Sequence, residues 1–192
     1  MRVSISVDPW GCIFAALMIL LVPLRWLFAA VLAAAIHESF HILAISLMGN
    51  RILGIRIGLG GTVIETDVAG NVQELLCAMA GPAGSLLLLT LCHSFPELAL
   101  CGGVQGLFNL LPVYPLDGGR ALLCFLRMVF PKNAARIGKI AGCAVLTLLA
   151  SLALYGVLCL SLGISPVILL MLLLIKAFLR KKPCKQRQIR VQ

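Results

Sequence analysis

The segment His37-Glu38-Ser39-Phe40-His41 sets two imidazoles four residues apart, with a carboxylate beside the first. On an α-helix that spacing puts both rings on one face, one turn apart. Rings so placed can reach a single cation, and a catalytic zinc takes about three protein ligands while keeping one position for water. Glu38 lies between the two ligands and can act on that water as a general base. The motif sits inside an apolar stretch from about Trp26 to Met48. A charged side chain at the centre of a membrane helix costs about 2.5–3.5 kcal/mol on insertion scales, so residues of this kind default to function. The bland alternative is a set of buried polar groups bonded to neighbouring helices.

A third ligand has to come from elsewhere. The remaining histidine, His93, falls at the far end of a later apolar stretch and reads as a solvated loop residue. Asp117 is the better candidate. It sits in Asn109-Leu-Leu-Pro112-Val-Tyr-Pro115-Leu116-Asp117-Gly118-Gly119-Arg120. Two prolines break a regular helix there, and two glycines permit unusual backbone angles and close approach. Irregular backbone at membrane depth is tolerated only where it is buried in protein or lines a wet cavity. Alone, such a run is an ordinary turn; paired with the histidines, it is expected to bend Asp117 toward the same ion.

The elements that must position these residues are membrane helices. The chain has 192 residues, of which 61% are hydrophobic and 12% charged, with mean hydropathy +1.06. Soluble domains average about 25% charged residues, so the apolar excess must face lipid. An apolar run of about 20 residues is needed to span a bilayer. Six candidates are expected, at about Pro9–Leu24, Trp26–Met48, Val72–Cys92, Leu98–Tyr114, Ile140–Leu160 and Ile164–Leu179. The expected fold class is therefore an all-α polytopic membrane protein: a core over residues 1–180 and a basic tail over 181–192. Between the second and third spans, the run Arg51 to Asp67 carries two short β-prone stretches around Gly60-Gly61, which predicts a β-hairpin.

The net charge of +9 invites a nucleic-acid reading, but the positions argue against it. Arg180, Lys181, Lys182, Lys185, Arg187 and Arg190 follow the last apolar run, as expected of a cytoplasmic end held to anionic lipid. With both termini in the cytoplasm, Arg51, Arg56, Arg120, Arg127, Lys132, Arg136 and Lys139 also fall inside, and only Arg25 falls outside. The hairpin is then cytoplasmic. The eight cysteines include no C-x-x-C pair; they read as packing residues, with neither a disulfide framework nor a cysteine-rich zinc site. Arg2 and the first apolar run could mimic a secretory signal, but the apolar character continues past any cleavage site.

The sequence resembles the site-2 protease family of intramembrane zinc metalloproteases, peptidase family M50. The matching elements are His37-Glu38-x-x-His41 on one span, Ala80-Gly81-Pro82-Ala83-Gly84 on the next, and Asn109-x-x-Pro112-x-x-x-Leu116-Asp117-Gly118 on a later one. The resemblance covers roughly residues 20 to 130. It implies one zinc ion on His37, His41 and Asp117, Glu38 as catalytic base, and Asn109 holding the substrate or the developing oxyanion. It implies hydrolysis of membrane-anchored protein substrates in or near the bilayer, with the hairpin receiving substrate as an added strand. The layout is similar to that of the compact sporulation branch in a bacterial cell membrane. There is no room for a PDZ domain between the motifs and no CBS domain after the last span. Ser85 stands where many members carry Asn, a departure expected to bear little on catalysis. A regulatory membrane partner or a homo-oligomer is compatible with these expectations. Two rival functions use the same residues: a catalytically inactive zinc-containing scaffold, and a metal or proton transporter built on intramembrane His, Glu and Asp.

Overall fold

The computed structural model of the chain describes residues 4–7, 19, 22–58, 61–67, 70–158 and 171. Helix α1, Leu24–Leu47, holds the histidine motif, and its buried residues are Ala29, Ala33, His37, His41 and Ile45. That strict four-residue step is one stripe of an α-helix. Leu24, Phe28, Val31, Leu43 and Leu47 face outward instead, so among the described residues the helix meets protein along one line. Ser39, on the exposed side, donates its hydroxyl to the Ala35 carbonyl at 2.7 Å. Thr147 and Ser151 bond carbonyls of their own helix in the same manner. Hydroxyls tied off internally suit a surface that meets hydrocarbon.

After α1, Gly49 takes a left-handed φ of 71° and turns the chain. Strands β2 (Ile52–Gly58) and β3 (Gly61–Thr66) pair antiparallel, with Gly58 opposite Gly61. A further strand, β1 (Ser4–Val7), pairs parallel with β2, giving the order β1-β2-β3. This corrects the expectation of a hairpin alone. Four residues are too short for alternation to be read from sequence, and the partner strand is what makes them β.

Helix α2, Asn71–Leu87, continues as a 3-10 turn over Leu88–Leu91. It runs antiparallel to α1: its Cys77 lies by Met48 and its Ser85 by His37. Helix α3 covers Pro96–Asn109, and the pair Arg25–Glu97, 3.9 Å apart, ties its start to that of α1. That pairing accompanies the one basic residue expected on the outer side. The fourth expected span, Leu98–Tyr114, needs correcting. Its helix has 14 residues, about 21 Å at 1.5 Å per residue, which is short of the roughly 30 Å of bilayer hydrocarbon. The helix stops at Asn109 because the proline-bearing run beyond it cannot continue the ladder.

Helix α4 (Asp117–Val129) and helix α5 (Ala134–Leu158) complete the described chain. Three described helical segments are long and apolar enough to cross a membrane: Leu24–Leu47, Asn71–Leu91 and Ala134–Leu158. The fifth expected span thus begins six residues earlier than Ile140, at Ala134. The first and last expected spans and the basic tail lie largely or wholly outside the described residues. The chain is an integral membrane protein by these helices. Val113 and Leu116 form a small core against Phe108, Leu111, Val145, Leu146 and Leu149. Helix α5 therefore backs the irregular run between α3 and α4, the run that delivers Asp117.

Candidate metal centre

Four elements meet around the His37 ring. Its Nε2 lies 3.1 Å from Asp117 Oδ2 and 3.2 Å from His41 Nε2. His41 Nε2 is 3.3 Å from the same carboxylate oxygen. These three atoms make a nearly equilateral triangle. A tetrahedral zinc with ligand bonds of about 2.0–2.1 Å separates its ligand atoms by about 3.3–3.4 Å, so the triangle matches one face of such a site. Both rings are almost fully enclosed, His37 at 2% exposure and His41 at 8%.

The other ring nitrogens are engaged as well. His41 Nδ1–H donates to the Cys77 carbonyl at 2.7 Å. A carbonyl only accepts, so the neutral His41 ring must carry its proton on Nδ1 and turn the Nε2 lone pair inward. His37 Nδ1 meets Ser85 Oγ at 2.8 Å. Asn109, buried at 9% exposure, brings Nδ2 to 3.4 Å from His37 Nε2. With Nδ1 as donor on both rings, two nitrogen lone pairs and a carboxylate oxygen would point at one place, and two imidazoles with one carboxylate are ligands a zinc ion accepts. The groups His37, His41 and Asp117 form the one cluster of three metal-capable side chains found among the described residues. Glu38 follows His37 on α1, half-buried.

The local sequence explains how each group arrives. Cys77, Gly81 and Ser85 step by four along α2 and are all buried. They face the His37–His41 stripe of the antiparallel α1. Gly81 is required there: a Cβ at that position would fall on the His41 ring itself. Gly84 gives the same room to Phe40. Asp117 opens α4, directly after the irregular run. Gly118 and Gly119 next to it lie so close to the backbone of Leu110, Val113 and Tyr114 that no side chain fits. Glu74, at the start of α2, reaches Arg120 at 3.9 Å and Arg127 at 3.6 Å on α4.

The structure brings His37, His41, Asp117 and Asn109 together from three helices. His93 lies at the turn that follows the 3-10 segment, on exposed chain and apart from this cluster. Ser85, expected to bear little on catalysis, touches the ring of His37. A polar residue one helical turn beyond Gly81 in an otherwise apolar helix is the signal that marked it. The Cys77 contribution comes from its backbone, and no side-chain pattern encodes it.

Comparison with known proteins agrees with this architecture. The family model for peptidase family M50 matches residues 69–153, a stretch that holds Ser85, Asn109 and Asp117 but lies downstream of the histidine motif. No curated protein sequence matches the chain. Among solved structures, the site-2 protease from Methanocaldococcus jannaschii is similar in fold, with a TM-score of 0.68. The identity is 21%, over 96% of this chain and 94% of that one. The chain is thus similar to peptidase family M50 over residues 69–153 and shares the fold of a site-2 protease along nearly its whole length.

Proposed function

We propose that the chain is a zinc metalloendopeptidase that hydrolyses peptide bonds of membrane-anchored protein substrates within or at the edge of the bilayer. The observation that carries this is the triangle of His37 Nε2, His41 Nε2 and Asp117 Oδ2, all within 3.3 Å of one another, on the helix that also bears Glu38. A bound zinc ion supplies Lewis acidity and makes a water molecule acidic enough to attack at neutral pH.

The chain's own groups do the rest. His37 and His41 hold the ion from one helix face, and Asp117 closes the set from a second element. Glu38 takes the proton of the attacking water and later hands it to the leaving amine. Asn109 directs its amide at the same place and donates to the oxygen that gains charge. Water reaches the site from the Met48 end of α1, the end that the loop charges assign to the cytoplasm. The glutamate separates a protease from an inactive zinc scaffold, because a structural site has no use for a base.

Replacing Glu38 by Gln in full-length protein reconstituted with a membrane-tethered substrate tests the assignment. Zinc content should stay at one ion per chain while cleavage falls by about 10²–10⁴-fold. Undiminished cleavage rejects Glu38 as the base; metal flux into proteoliposomes without cleavage favours a transporter.

A further inference from the structure

Ser85 has no exposed surface, and its hydroxyl lies on the α1–α2 interface. A hydroxyl buried without a partner costs roughly 1–3 kcal/mol in proteins. Serines in membrane helices often avoid this by bonding a carbonyl of the preceding turn, as Ser39 does here. Ser85 instead sets its Oγ 2.8 Å from Nδ1 of His37.

The pocket around it is built for a small side chain. Helix α3 closes over Ser85 through its glycines. A Cβ at Gly106 would come 3.1 Å from Ser85 Cβ, and one at Gly102 would come 2.9 Å from the Ser85 carbonyl oxygen. Asn109, one turn beyond Gly106 on the same helix, meets the opposite ring nitrogen of His37 at 3.4 Å. The ring is gripped at both nitrogens, by α2 on one side and α3 on the other. His41 is held differently, by the Cys77 carbonyl at Nδ1 and by the close wall of Gly81.

We propose that Ser85 is a positioning residue for the metal site: its hydroxyl accepts from Nδ1–H of His37, fixes the ring rotation and keeps the Nε2 lone pair turned toward Asp117 and His41. This deepens the zinc-site reading above and rests on it. A metal-ligating imidazole generally gives its other N–H to a fixed acceptor, and losing that acceptor costs about 10–100-fold in metal affinity.

The test is zinc affinity of the full chain in detergent micelles, measured by competition with a chromophoric chelator. Ser85→Ala and Ser85→Cys are both small enough for the closed pocket, and a thiol is a weak acceptor. Both should bind zinc about 10–100-fold more weakly, while the melting temperature of the metal-stripped protein stays that of wild type. Unchanged zinc affinity in the Ala and Cys variants overturns the proposal. So does a loss of affinity matched by an equal loss of metal-free stability, since that is the mark of a packing role. His37→Ala separates this failure from failure of the site itself: if that variant binds zinc as well as wild type, the ligand set is wrong and the role of Ser85 falls with it.

Discussion

At Gly81 a single hydrogen atom decides whether His41 can face Asp117, because any Cβ would occupy the space of the imidazole. Overpacking a fixed interface generally costs about 1–3 kcal/mol. Gly81→Ala should destabilise the protein by that amount and displace the His41 ring, and zinc retained per chain after dialysis should fall well below one. Gly70→Ala is the matched control, since a Cβ there meets only the Gln73 side chain at 3.8 Å; zinc content should be unaffected. The carboxylate has a test of the same scale. Asp117→Asn preserves size and removes the negative charge that two imidazole lone pairs lack, so zinc affinity should drop sharply while the metal-free fold persists by circular dichroism. Retention of tight zinc by Asp117→Asn would mean that the ion is held elsewhere.

Helix α4 has the task of carrying Asp117 to α1, and it does so through backbone contact. Gly119 presses against the main chain of Val113 and Tyr114, and Gly118 against that of Leu110. Main chain cannot swing aside as a flexible side chain can, so Gly119→Ala should shift the start of α4 and with it the carboxylate. Loss of zinc, together with a melting temperature lowered by several degrees, is the expected outcome. Gly138 on α5 is the contrasting glycine. A Cβ there makes ordinary contact with Leu123 at 3.7 Å and Leu126 at 3.8 Å, and alanine is favoured over glycine within a helix by about 0.5–1 kcal/mol. Gly138→Ala should therefore leave zinc content intact and raise the melting temperature slightly. The ion pairs of Glu74 with Arg120 and Arg127 are 3.6–3.9 Å long and partly exposed, so each adds little. Glycine contacts, more than charges, hold α4 in place.

For the molecule as a whole, the proposed ion joins α1 directly to α4, two helices that each also pack on α2. Anything that binds the folded state alone stabilises it, by about 2.7 kcal/mol at a free concentration one hundred times Kd. Stripping the metal with a chelator should lower the unfolding temperature in micelles, and adding zinc back should restore it in a concentration-dependent manner. An unchanged melting curve across that titration would count against a site that spans α1 and α4. Outward-facing residues such as Leu24, Phe28, Leu47, Leu148, Leu152 and Leu158 meet lipid, since this much apolar surface is not kept in water.

Membrane embedding is legible in composition alone, because a chain with 12% charged residues cannot cover itself with polar surface. The pairing of His37 with His41 is equally legible, since four residues make one helical turn and no partner is needed for that geometry. Asp117 was visible as a carboxylate beside two glycines and two prolines, and Asn109 by its place in the family motif. The chain's own residues could not say that Ser4–Val7 joins a sheet, because that depends on a partner strand distant in sequence. Nor could they assign Ser85 and the Cys77 carbonyl to the histidine rings. Local patterns encode which face of a helix is buried. Which atom of a neighbouring helix waits on that face is settled only when α1, α2 and α3 pack, and the closeness of that packing is what Gly81, Gly102 and Gly106 permit.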